Sequence, residues 1–211
     1  MHFESRAFTL WAKRSFPNSF RNVRVLDVGS GDINGNNRFL FEDCEYHGND
    51  VAAAPNVTVV SRTKDLPFED ASFDTVISTE CFEHDPDIAE SLATVYRLLK
   101  PGGIFCFTCA STGRPEHGTL RTTPNDSVGT ASGVADMKDY YRNVELDDLR
   151  EMFTLNDDFS AWTAWYNALS HDLYFLGIKQ DRNRTPSIPE YTAPGVTCSG
   201  SWISNTNIEK T

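Results

Sequence analysis

Positive charge is scarce in this chain. Its 19 Lys and Arg face 30 Asp and Glu over 211 residues, a formal net charge of −11 with His neutral. Proteins that grip a phosphate backbone carry a basic face, because much of their affinity comes from displaced counterions. The acidic balance therefore argues against strong nucleic-acid binding. Long apolar runs are missing too. No stretch approaches the ~18 apolar residues of a membrane span, and the opening MHFESRAF contains no apolar core of the signal-peptide kind. Cysteine is sparse. Of the five (Cys44, Cys81, Cys106, Cys109 and Cys198), Cys106 and Cys109 lie three apart in an apolar, strand-like run. That spacing sends them to opposite faces and offers no metal pair. Reduced thiols and a cytoplasmic setting are the expectation.

What is present is enough for one sizeable core. Hydrophobic residues make up 39% and aromatics 12% of the chain, which fits one domain over 1–180 and a polar, Pro-containing tail over 181–211. Residues 23–28, 46–51, 57–61 and 73–79 read as short strands by their apolar, β-branched content. The segment 73–79 is nearly continuously apolar at its centre, as a strand buried on both faces should be. A helix follows. Asp85 can cap it, Pro86 suits its first turn, and Ile88, Leu92, Val95 and Leu99 recur at helical spacing. Lys100-Pro101-Gly102-Gly103 stops it, and residues 104–109 form a fifth strand. Strands alternating with helices imply crossover units and a mostly parallel sheet. Residues 111–137 are a long Gly-, Ser- and Thr-rich loop, a length that compact domains keep for function. Residues 143–153 read as a helix, and 159–166 with 173–179 as an antiparallel hairpin. The tail, with Pro186, Pro189 and Pro194, is a linker or a surface-wrapping arm.

Four segments carry chemistry. In VLDVGSGD (25–32), Gly29 and Gly31 let the backbone turn sharply and approach a ligand, and the N–H groups that follow can receive a carboxylate. GNDV (48–51) is a strand ending in an acid, where Asp50 can accept both hydroxyls of a ribose. DLPFEDASFDTVISTECFEH (65–84) brings Thr79 and Glu80 to the carboxyl end of a central strand. RLLKPGGIFCFTCAS (97–111) closes the set.

In this order and spacing the four segments resemble the class I S-adenosylmethionine-dependent methyltransferases, in particular the small single-domain type 11 group. The resemblance spans about half the chain. It implies an α/β, Rossmann-like, doubly wound fold with a mostly parallel seven-stranded sheet and a C-terminal antiparallel hairpin. It implies S-adenosylmethionine as cofactor, held by Asp27, Gly29, Ser30, Gly31, Asp50, Val51, Arg62, Thr63, Thr79 and Glu80. Two departures stand out. Arg62 occupies the place where relatives carry an Asp for the adenine edge, and Ile33 stands where a third glycine is usual. A sharp turn into a short helix is expected there, with Asp32 holding the turn or touching the ligand.

The expected reaction is methyl transfer to a small polar acceptor, most simply O-methylation of a sugar or glycan precursor. An oxygen acceptor needs a base within hydrogen-bond reach, and His117, His84 and Glu83 are the candidates, in that order. In the loop after the fifth strand, Arg114 and Glu116 can bind a polar acceptor, and Tyr141 and Arg142 can wall its pocket. Glu80-x-x-Glu83-His84 is also similar to an E-x-x-E-H pattern of methyltransferases that bind a divalent metal. Glu80, Glu83, His84 and His117 are the ligands to consider, although a metal is not the favoured reading. A metal-dependent RNA 3′-end enzyme and an inactive S-adenosylmethionine-binding module are the alternatives. Trp162, Trp165 and Tyr166 belong more naturally to the core than to a site. The sequence leaves oligomeric state open.

Overall fold

The computed structural model describes residues 2–183 and 186–204. Residues 184–185 and 205–211 of the tail lie outside that description. The strands are β1 (Arg24–Val28), β2 (Glu45–Asp50), β3 (Val59–Val60), β4 (Phe73–Thr79), β5 (Leu99–Ala110), β6 (Phe159–Asn167), β7 (Asp172–Lys179) and β8 (Val196–Ile203). They form one sheet in the order β3-β2-β1-β4-β5-β7-β6-β8. Pairing is parallel from β3 through β5 and antiparallel at β5–β7, β6–β7 and β6–β8. The strand order reverses between β1 and β4, and open α/β sheets bind ligands at such a switch point, beyond the carboxyl ends of the strands.

The helices are α1 (Phe3–Ser15), α2 (Ile88–Leu98) and the short α3 (Val128–Ala131), α4 (Leu146–Met152) and α5 (Leu155–Asp158). Two apolar layers cover the sheet. On one face α2 lays down Ile88, Leu92, Val95 and Leu98 against Phe105, Phe107, Phe159 and Phe175. On the other, Phe8 and Ala12 of α1 meet Val25, Ile77, Cys106 and Tyr174. Cys106 and Cys109 fall in opposite layers, as their spacing requires.

Several elements differ from expectation. The sheet has one strand more than seven, because Val196–Ile203 pairs with β6. In the same tail, Tyr191 is buried against Phe8, Trp11 and Trp165. α1 has no counterpart in the reading above. Its buried face mixes Phe8 and Ala12 with Ser5 and Thr9, which blunts the apolar period. α2 begins at Ile88, with Asp87 as its N-cap rather than Asp85. The Asp85 carboxylate instead accepts the Asp87 N–H at 2.9 Å. Between β1 and β2 the chain makes only a 3-10 turn, Arg38–Leu40, and no full crossover helix. Trp162 and Trp165 are core residues, whereas Tyr166 spends its hydroxyl on Thr112 O and His171.

One lysine ties the layers together. Lys179, at the end of β7, donates to the carbonyls of Tyr96 and Leu99 at 2.6 and 2.7 Å, and its ammonium lies over the Tyr96 ring. A cation on the last carbonyls of a helix is favoured by both hydrogen bonding and the helix dipole. Lys100, the cation expected to close α2, instead pairs with Asp74.

Candidate active site

A cleft of about 430 Å³ opens over the carboxyl ends of β1, β2 and β4. Its floor is the turn after β1. Gly29 adopts φ +71°, and a Cβ there would lie 2.4 Å from Cys81 Cβ, so a side chain is excluded by both strain and space. The Gly29 and Ser30 N–H groups both donate to Asn49 O at 2.9 Å. Gly31 N–H donates to Asp50 Oδ2 at 3.0 Å, and Val51 N–H to Asp50 Oδ1 at 2.8 Å. The Asp50 carboxylate is thus fixed from two sides at the cleft wall. Burial raises its pKa and these two N–H groups oppose the rise. The rest of the turn is closed by Asp32, which accepts Gly35 N–H at 2.9 Å and Asn36 Nδ2 at 2.6 Å. No helix forms across residues 32–37. Asp32 holds the turn.

Asp27 is buried beneath the floor. Burial pushes its carboxyl up to about 6, against hydrogen bonds from the Tyr46 hydroxyl and Asn37 Nδ2. Asn37 Nδ2 also reaches Thr79 Oγ1 at 3.1 Å. Ser30 Oγ and Asn37 Oδ1 are buried and have no hydrogen-bond partner. Such groups are costly unless a ligand or water meets them.

The segment after β4 splits into two clusters. Glu80 has φ +53°, an uncommon conformation for a residue with a side chain. Its Oε1 accepts from Thr108 at 2.7 Å, and its Oε2 lies 3.4 Å from His2 Nε2 and 3.9 Å from Arg114 Nη2. His2 and Arg114 converge in turn on the buried Asp172, at 2.9 and 3.2 Å. Burial alone would lower the His2 pKa. The carboxylates of Asp172 and Glu80 against its Nε2 outweigh it and push the imidazole up to about 10, and His2 keeps Glu80 ionised in return. Arg114 Nη1 also donates to Ser170 O at 2.7 Å, so its guanidinium is held at the cleft edge.

The second cluster is Glu83, His84 and His117. The chain leaves Glu80 through Cys81 and a 3-10 turn, Phe82–His84, which carries Glu83 and His84 away from Glu80. The four-residue set Glu80, Glu83, His84 and His117 is therefore not assembled. His117 joins Glu83 and His84, and Glu80 joins His2 and Asp172. His117 Nε2 is 3.8 Å from Glu83 Oε1, and the two imidazoles are 5.0 Å apart and nearly perpendicular. Burial, reinforced by the charge of Glu80, pushes the Glu83 carboxyl well above the usual range, and burial lowers His84 to about 4.

The loop 111–142 roofs the cleft. Gly118 packs on the His84 ring and Val128 on Gly31, where added Cβ atoms would come within 2.5 and 2.6 Å. Of the residues singled out in the sequence, Asp27, Gly29, Ser30, Gly31, Asp50, Val51, Thr63, Thr79, Glu80, His84, Arg114, Glu116 and His117 line the cleft. Arg62 does not. Its guanidinium is taken up by Asp87 and Asp136 at 2.8 and 2.9 Å, so it ties the roof to the start of α2. Arg142 is likewise held by Asp148. Tyr141 stands behind the two histidines, with ring centroids 5.6 Å from His84 and 4.9 Å from His117. Glu116 turns to Thr119 and Arg121. His2, Asn37 and Met137 also line the cleft and Asp172 pairs with His2 and Arg114, and sequence reasoning missed all four. Asn37 sat in the odd half of the glycine turn, but nothing local marked the others.

With this geometry in hand, comparisons with known proteins converge. A methyltransferase-domain family model matches residues 26–107. The chloroplastic tocopherol O-methyltransferase of Arabidopsis thaliana is 36% identical over 98 residues, covering 38% of this chain and 28% of that protein. The sterol 24-C-methyltransferase of Candida albicans is 27% identical over 183 residues, covering 73% and 47%. The chain therefore spans less than half the length of either relative. Among solved structures, a Haemonchus contortus phosphoethanolamine N-methyltransferase 2 in complex with S-adenosyl-L-methionine superposes with a TM-score of 0.57 at 20% identity, over 83% of this chain and 53% of that one. That likeness is one of fold. Among the described residues no helix is long and apolar enough to cross a membrane. Over residues 26–107 the chain is therefore similar to a methyltransferase domain, and the order of its motifs and of its sheet strands agrees with that match.

Proposed function

We propose that the cleft binds S-adenosylmethionine and that the chain transfers its methyl group to a small polar acceptor, by O-methylation of a sugar or glycan precursor. The observation that carries this reading is the pairing of the Gly29–Gly31 turn with Asp50 across two adjacent strand ends. The fit is chemical. Backbone without Cβ atoms, a fixed carboxylate at the end of β2, and the unpartnered Ser30 Oγ and Asn37 Oδ1 suit a ligand carrying a carboxylate, an ammonium group and two hydroxyls. The sulfonium donor supplies an already activated methyl, so the protein mainly positions two reactants, an effect that can supply about 7–11 kcal/mol.

The acceptor's own chemistry falls to the other end of the cleft. His117 is the first candidate to take the acceptor's proton, with His84 and Glu83 beside it. Arg114 and Glu116 at the rim offer it polar contacts.

The direct test is calorimetry with S-adenosylhomocysteine, followed by an acceptor screen with labelled S-adenosylmethionine, with and without chelator. Asp50→Ala should weaken product binding at least ~10-fold, the equivalent of about 1.4 kcal/mol. His117→Ala should bind it normally while losing turnover. Unchanged affinity in Asp50→Ala would overturn the cofactor assignment. Full turnover in both His117→Ala and His84→Ala would overturn the base assignment.

A further inference from the structure

We propose that Glu83, His84 and His117 form a binding site for one divalent transition-metal ion at the acceptor end of the cleft. The inference rests on how the three side chains are prepared, and the ion binding itself does not depend on the cofactor reading. Their ligand atoms, one from each residue, all lie within 4.8 Å of one another, so a single ion can reach all three with small adjustments. Glu83 is completely buried, yet neither of its carboxylate oxygens has a hydrogen-bond partner. A buried carboxyl with both oxygens unmatched is expensive, and a cation would satisfy both. His84 is 7% exposed, and its Nε2 is also buried without a partner.

The far nitrogen of each imidazole strengthens the case. His117 Nδ1 lies 3.1 Å from the carbonyl of Pro115, and His84 Nδ1 lies 3.4 Å from that of Tyr140. A carbonyl can only accept, so each Nδ1 is the donor, and in the neutral imidazole that leaves the Nε2 lone pair available to an ion. Metal-ligating histidines show this arrangement, with the outer N–H donated to a carbonyl or carboxylate. His117 Nε2 faces Glu83 at 3.8 Å. Gly118 leaves room for the His84 ring, since a Cβ there would come within 2.5 Å of its Cε1. Two imidazoles and a carboxylate suit an ion of the zinc, iron(II) or manganese class rather than magnesium, which prefers oxygen. Three protein ligands leave positions open for an acceptor oxygen, and with the ion bound His117 is a ligand and not the base, the ion itself lowering the pKa of that oxygen. Glu80 stays outside the set, held by Thr108 and His2.

The test uses the full chain, stripped with chelator and reloaded with Zn²⁺ or with Co²⁺ as a spectroscopic probe. One equivalent per chain should bind, and Co²⁺ should develop the visible absorption of a low-coordinate nitrogen- and oxygen-ligated ion. Glu83→Gln, His84→Ala and His117→Ala should each weaken binding at least ~10-fold, since even outer-shell changes cost 10–100-fold. Each should still bind S-adenosylhomocysteine, which separates loss of the ion from loss of fold or of the cofactor site. Glu80→Gln should keep the ion. Sub-stoichiometric uptake, or uptake indifferent to all three substitutions, would overturn the proposal.

Discussion

Asp27 shows how a single residue can work against the fold it serves. Its carboxyl is buried at the end of β1, and burial pushes its pKa up to about 6 from an ordinary 3.8. A raised acid pKa means that folding favours the protonated form. The fold is therefore relatively more stable below pH 4, and this group's contribution declines as pH rises from about 4 to 6. At about 1.4 kcal/mol per unit, the ionised form costs on the order of 3 kcal/mol. Asp27→Asn should remove that pH dependence. In urea unfolding, the mutant's stability relative to the parent should rise between pH 4 and 7, and a flat difference would show that the Tyr46 and Asn37 hydrogen bonds fully compensate.

The residues of the glycine turn were legible because their meaning is local. A strand, an acid and two glycines define a turn wherever they occur. Asp50 was legible for the same reason. The His2–Glu80–Arg114–Asp172 cluster was not. It draws on four distant parts of the chain, and only the folded sheet brings them together. Arg62 illustrates the opposite failure. It was expected at the adenine edge, but its charge is spent on Asp87 and Asp136, neither of which is local to it.

Among the elements, α2 and the strands on either side of it were the plainest in the sequence, because a clean apolar period and a Pro-Gly-Gly stop leave little choice. What closes α2 was not visible. Lys179 lies 80 residues beyond Leu99, yet it caps the helix and joins β7 to it. Lys179→Met keeps most of the apolar stem but leaves two carbonyls without their charged donor. Hydrogen bonds to charged groups contribute about 1.5–3 kcal/mol each. Screening at this half-buried position brings the two together below their nominal sum, to about 2 kcal/mol. Denaturant unfolding should show a lower midpoint at unchanged slope. An unchanged midpoint would mean that the cap contributes nothing. The helices expected between the first strands are replaced by 3-10 turns, since the intervening segments, such as 32–44, are too short and too rich in Asn and Gly to bury a helical face.

On the scale of the whole molecule, β8 decides what the sheet presents to solvent. Without it, β6 would be the edge. β6 is FSAWTAWYN, buried along nearly its full length and free of charge. A flat, uncharged edge of that kind is a template for pairing between chains. Ending the chain at Gly195 should therefore produce soluble aggregates or dimers by light scattering. A truncated chain that stayed monomeric with unchanged thermal stability would show that β8 is dispensable. The sequence hid this strand because VTCSGSWI alternates weakly and follows a Pro-rich approach, whereas its pairing partner is fixed only by the finished sheet.

The placing of Cys106 and Cys109 on opposite faces of β5 gives the molecule its own set of reporters. Cys198 is exposed, Cys44 and Cys81 are half-covered, and the β5 pair is buried, one thiol in each apolar layer. A thiol reagent can reach the last two only when its own layer opens. The rates at which Cys106 and Cys109 react therefore time the opening of the two layers separately, while Cys81, pressed against Gly29, times the opening of the cleft floor between them.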